Sequence, residues 1–177
     1  VEELKVAIDY KPINELELLL PKNHNSNFGK TSYEIVNECK FTFKGFGSVK
    51  YEGNITWLED FSKGRSYLRL LNGFVWLGDI IEQFKQTKDI TLLKSSYHLV
   101  EQWIDENQFQ PNSNKMNWHD ETTALRLLYL ISYFNILRPY SKSLDLNKIY
   151  SSLNEHFFIL SRDDFYAGNN NHGMFQC

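Results

Sequence analysis

The run Tyr67-Leu68-Arg69-Leu70-Leu71-Asn72-Gly73-Phe74-Val75-Trp76-Leu77-Gly78-Asp79-Ile80-Ile81-Glu82-Gln83-Phe84 sets the reading of the fold. Leu70, Leu71, Phe74, Leu77, Ile80, Ile81 and Phe84 recur at steps of three and four, the period of an amphipathic helix. The spacing predicts a helix over 68–84. Gly73 and Gly78 lower its intrinsic propensity but suit close approach of a neighbouring helix.

The same period continues downstream. A second helix is predicted over 90–106, presenting Leu92, Leu93, Tyr97, Val100, Trp103 and Ile104. Residues 107–117 carry Pro111 and four asparagines and read as a loop. A third helix, over 121–136, is apolar around much of its circumference, which predicts packing on two sides. Asp120 is its expected N-cap, and Pro139 stops it. A fourth helix is predicted over 146–160 and displays Ile149, Leu153, Phe157 and Leu160. Residues 162–173 read as a loop.

Upstream the pattern differs. Leu16 to Leu20 is an apolar run ended by Pro21, and 22–30 is a polar loop. A short helix is predicted near 31–39 with Thr31 or Ser32 as N-cap. Phe41, Phe43, Val49 and Tyr51 alternate with polar residues around Gly45 and Gly47, which predicts a β-hairpin with strands near 40–44 and 48–52. The expected fold class is mainly α: a partial (α/α) toroid of antiparallel helical hairpins with a small β-hairpin near the amino terminus. Two portions are expected, a mixed segment over 1–56 and the helical hairpins over 57–177. Helices joined by short loops favour antiparallel neighbours, and no residue-level repeat accompanies the spacing.

Composition narrows the classes of function. Of the 177 residues, 42% are hydrophobic and 23% charged, a globular balance without a disorder signature. The net charge of −3 carries no basic excess, which argues against nucleic acid as a partner. It leaves room for an anionic glycan bound at one local site. No apolar run reaches membrane-spanning length. Val1-Glu2-Glu3-Leu4 shows no signal peptide, and a chain opening on Val suggests a processed or trimmed product. Cys39 and Cys177 make neither a disulfide framework nor a four-ligand zinc site, so both read as free thiols. His24, His98 and His156 lack metal-ligand spacing. No metal and no cofactor are expected.

Two stretches carry candidate chemistry. Asn169 to Gly173 sets amides beside the imidazole of His172 between glycines, a compact way to offer donors to an anion; the same residues also suit an ordinary polar turn. Trp118, His119 and Asp120 form the second. An indole there suits a sugar face and His119 a carboxylate; an aromatic staple and a helix cap suit it as well. Arg126 lies in a very apolar helix, where it either meets an acidic sugar or is paired internally, since a buried charge needs partners.

Several of these residues stand in a familiar order. Asn54-Ile55-Thr56-Trp57, Arg69-Leu70-Leu71-Asn72-Gly73-Phe74, Val100-Glu101-Gln102-Trp103-Ile104, Asn117-Trp118-His119 and Thr122-Thr123-Ala124-Leu125-Arg126-Leu127-Leu128 resemble the amino-terminal toroid portion of the heparinase II/III-like polysaccharide lyases. Asn170-Asn171-His172-Gly173 looks like that family's substrate-site signature. The resemblance covers about residues 37–177.

It implies a lyase that breaks uronic-acid-containing glycans by β-elimination. In that scheme an Asn and a His neutralise the uronate carboxylate, a Tyr or His removes the C5 proton, and a Tyr protonates the leaving oxygen. Asn171 and His172 match the neutralising pair and are the expected catalytic residues. Asn170, Trp118, His119 and Arg126 are the expected substrate-binding residues. The family's catalytic Tyr falls beyond Cys177, so this segment alone is expected to be catalytically incomplete. The alternative is a non-catalytic glycan-binding or structural helical module. The expected partner is an acidic polysaccharide or oligosaccharide, with self-association through an exposed toroid edge. The resemblance favours a periplasmic or secreted location.

Overall fold

A computed structural model describes residues 28–52, 55, 57, 64–110 and 116–165. The described chain is mainly helical. Its order is α1 (Phe28–Glu38), β1 (Lys40–Phe43), β2 (Gly47–Lys50), α2 (Arg65–Asn72), α3 (Leu77–Thr87), α4 (Ile90–Glu106), α5 (Asp120–Leu137) and α6 (Asn147–Leu160). Short 3₁₀ turns occupy Met116–Trp118 and Arg138–Tyr140. The strands pair antiparallel, with Phe41 opposite Val49, and Gly45 and Gly47 take the positive φ that the tip requires.

The hairpin falls where alternation predicts it. The helix before it starts earlier than predicted, so Thr31 and Ser32 lie inside α1 rather than capping it. The N-cap of α5 is His119, not Asp120; Asp120 opens the helix and its Oδ1 accepts from the Glu121 amide at 2.5 Å. The acidic pair Asp120 and Glu121 still complements the positive end of the helix.

The largest departure is at 68–84, which forms two helices rather than one. The amide of Val75 donates to the carbonyl of Leu70 at 3.2 Å, and that of Phe74 to Leu71 at 3.3 Å. This is a Schellman ending, whose penultimate position must be left-handed. Glycine normally takes that place, but here it is Phe74, at φ 57°. Phe74 is fully buried against Trp57, Trp76 and Trp103. Burying a phenyl ring stabilises by about 2–3 kcal/mol, enough to offset a left-handed backbone costing about 1–2 kcal/mol. Gly73, one residue earlier, serves proximity instead. A Cβ there would stand 2.6 Å from the Arg69 carbonyl and 2.9 Å from Leu125 of α5.

The core is one contiguous cluster running from Phe41 through Leu71, Ile80, Val100 and Leu130 to Ile149. The hairpin and α1 belong to it: Tyr67 donates to the Phe41 carbonyl, and α1 packs on α3 and α4. Helix α5 lies between α2, α3 and α6, which accounts for its breadth of apolar residues. No helix among the described residues is long and apolar enough to cross a membrane.

Candidate functional site

Of the residues singled out by sequence, Trp118, His119 and Arg126 lie where the end of α2 and the start of α5 come together. Arg126 is at the centre, 0% exposed. Its Nε donates to Nε2 of His156 at 2.7 Å. Its Nη1 donates to two backbone carbonyls, of Asn72 at 2.8 Å and of Asn117 at 2.6 Å. The guanidinium carbon lies 3.9 Å from the ring centre of Trp103 and 4.6 Å from that of Trp118. Cation–π contacts strengthen as water is excluded, to about 2 kcal/mol each. Nη2 has no hydrogen-bond partner, and no carboxylate of a described residue lies in ion-pairing range.

The charge is therefore held by three acceptors and two indoles. Burial pushes the Arg126 pKa well down, against the opposing influence of Glu155. Free arginine binds its proton so tightly that the group stays a cation here. Burial pushes the Glu155 carboxyl up, against the pull of Arg126.

His156 is equally buried, and its protonation is fixed by its neighbours. Nδ1 faces the Ser152 carbonyl at 2.6 Å; a carbonyl only accepts, so Nδ1 carries the proton. Nε2 then presents its lone pair to Arg126. Burial and the Arg126 charge both push the His156 pKa well below the usual range, more than the Ser152 bond restores.

A shell of side chains fixes this cage. The Trp103 indole donates to Oδ1 of Asn72 at 2.9 Å, while Nδ2 of Asn72 donates to the carbonyls of Leu68 at 3.1 Å and Trp57 at 3.4 Å. The Trp118 indole donates to the Asn107 carbonyl at 2.7 Å. Asn117 donates to Oδ1 of Asn107 at 2.9 Å, and Asn107 in turn donates to the Trp103 carbonyl at 3.0 Å. Gln102 reaches the Ile55 carbonyl at 3.5 Å. Residues from 55–57, 68–72, 102–107, 117–126 and 156 thus close on one polar centre.

Trp118 and Arg126 face this core, not a solvent cleft. Their placement favours internal pairing over contact with a sugar. His119 differs. Its side chain is 26% exposed, and Nδ1 lies 2.6 Å from Oδ1 of Asp120. Beside it, Arg69 of α2 pairs with Glu121 at 2.9 Å, tying α2 to the start of α5. The side chains of His119, Asp120, Arg69 and Glu121 are largely buried, with exposures of 26, 11, 28 and 17%. Asn170, Asn171 and His172 lie outside the described residues.

Sequence reading missed His156, Asn72 and Asn107 as members of the cage. One signal was present: a lone Arg in an apolar helix demands acceptors. Nothing in the spacing pointed to a histidine thirty residues on. No group of His, Cys, Asp and Glu among the described residues is arranged to hold a metal ion. No family model, curated protein or solved structure matches the chain.

Proposed function

We propose that the chain is part of the (α/α) toroid of a polysaccharide lyase that cleaves uronic-acid-containing glycans by β-elimination. One observation supports this reading above the others. Among the described residues, the short stretches that resemble the heparinase II/III-like lyases come together. Trp57, Asn72, Trp103, Asn117, Trp118 and Arg126 are joined by hydrogen bonds and ring contacts into one unit. That convergence is the behaviour of a structural signature.

In this reading Asn171 and His172 donate to the uronate carboxylate, with Asn170 adjacent. Removing the C5 proton spreads negative charge onto that carboxylate, so donors aimed at it favour the transition state over the ground state. His119 is partly exposed with Nδ1 on Asp120, and the remaining edge of its ring would contact a second acidic group. The cage itself keeps the start of α5 in place.

The test is the appearance of unsaturated uronate, seen as new ultraviolet absorbance, when an intact parent protein carrying this segment meets alginate, heparan sulfate or hyaluronan. Asn171→Ala and His172→Ala should each abolish the signal. Absence of absorbance and of chain shortening on all three polymers would sink the lyase reading.

The burial of Trp118 and Arg126 favours a second reading, a non-catalytic glycan-binding or structural helical module. It predicts calorimetric binding of acidic oligosaccharide without product, or no binding at all if the role is purely structural.

A further inference from the structure

We propose that neutral His156 is a latch: its protonation opens the cage and releases the turn Met116–Trp118 from the rest of the fold. The inference rests on hydrogen-bond direction. Nδ1 of His156 is committed as a donor to Ser152, so Nε2 is the one ring atom left to accept from Arg126. A second proton goes onto Nε2 and turns that acceptor into a donor. Two N–H groups then face each other across 2.7 Å, each on a cation, where water does not reach.

The surroundings do not absorb the added charge. From α5 the group against the ring is Arg126 itself. From the 3₁₀ turn comes Trp118, with ring centres 4.9 Å apart, and from α4 comes Trp103. The α4 carboxylates Glu101 and Asp105 engage Lys148 in the first turn of α6. Glu155 sits beside His156 on α6 but is exposed to solvent, where water and salt screen its charge. Arg69 of α2 is taken by Glu121. Arg126 already has an unpartnered Nη2, so losing His156 removes one of only three acceptors.

The weakest attachment yields first. α5 and α6 are long helices sharing Leu130, Tyr133, Leu137, Ile149 and Leu153 in the core. The 3₁₀ turn is three residues long and is held by buried Met116, by Trp118, by the Asn117 side chain on Asn107 and by the Arg126 bond to the Asn117 carbonyl. Local opening draws on such low-stability pieces before the whole domain unfolds. His119 follows this turn as the N-cap of α5, its carbonyl accepting from the Thr123 amide and hydroxyl, so the release stops at the helix.

The experiment needs no substrate, and its failure is separate from failure of the lyase reading. The full chain is titrated from about pH 8 to pH 5 by nitrogen-detected NMR of the His156 ring and the tryptophan indoles, with far-ultraviolet circular dichroism alongside. The expected result is loss of Trp118 indole exchange protection by about tenfold or more below about pH 6.5, because proton uptake by His156 favours the opened cage, while helicity persists. His156→Gln, which retains a neutral acceptor, should remove the pH dependence. If that variant does not fold, the joint titration of the unaltered chain decides alone. Constant Trp118 protection down to pH 5, protection lost only together with helicity, or an unchanged transition in a folded His156→Gln protein would each overturn the latch.

Discussion

Arg126 and His156 meet as donor and acceptor, Nε to Nε2 at 2.7 Å, with both side chains closed to solvent. A histidine held as an acceptor by an arginine cannot gain a proton without losing its partner. This pair governs how the fold should respond to acid and to substitution.

Stability should fall with acidification, and the sign follows from linkage. The folded-state pKa of His156 is depressed, first by burial and then by Arg126, whereas in the unfolded chain it is about 6.5. Below that value the unfolded state binds more protons than the native state. The contribution from this group is thus whole above about pH 6.5 and shrinks by about 1.4 kcal/mol per pH unit until the folded pKa is reached. Urea denaturation at a series of pH values measures the slope; stability that is flat between about pH 6.5 and 5 would contradict it.

Arg126 and His156 should be strongly coupled. Arg126→Met leaves the Asn72 and Asn117 carbonyls and Nε2 of His156 without their donor, at a cost of about 1–3 kcal/mol for each buried orphan. His156→Leu strands the Arg126 Nε–H. In the double variant that pairwise loss is counted only once, so the cycle should show a coupling of about 0.5–3 kcal/mol. Additive effects would mean that the contact contributes little.

Gly73→Ala should destabilise although glycine-to-alanine changes often stabilise helices. The new methyl meets the Arg69 carbonyl at 2.6 Å and Leu125 at 2.9 Å, and relief requires moving backbone. Overpacking of this kind costs about 1–3 kcal/mol. A thermal midpoint unchanged or raised by the substitution would show that α2 and α5 have slack.

Tyr133→Phe tests a second buried network. The Tyr133 hydroxyl donates to the Leu93 carbonyl at 2.9 Å and lies 2.6 Å from Oγ of Ser96. Burial pushes the phenol pKa up, so the group is neutral at any ordinary pH. Its loss should cost about 1–2 kcal/mol, equally at pH 6 and pH 9. A pH-dependent penalty in denaturation midpoints would contradict a neutral phenol.

Much of the helical layout is legible in sequence because apolar residues at three- and four-residue steps carry it. The runs around Val100, Leu127 and Leu153 needed only one buried face to be read, and the structure places helices there. The break at Phe74 was not legible. The apolar period runs on in phase from Leu70 to Phe84, and the left-handed residue is a phenylalanine rather than the glycine beside it. What stops α2 is the set of rings that receives Phe74, and those rings come from Trp57, Trp76 and Trp103. Arg126 was half legible: its solitude in an apolar helix announced a partner, but a backbone carbonyl leaves no mark in the side-chain pattern.

An isolated peptide spanning residues 65–87 would lack the neighbours that bend it. Its letters favour a single uninterrupted rod, against the corner present in the assembled protein. That corner is thus imposed by partners distant along the chain, and nascent helix in this region must be remodelled as the tryptophans gather. Tertiary packing, not local preference, decides where the chain turns.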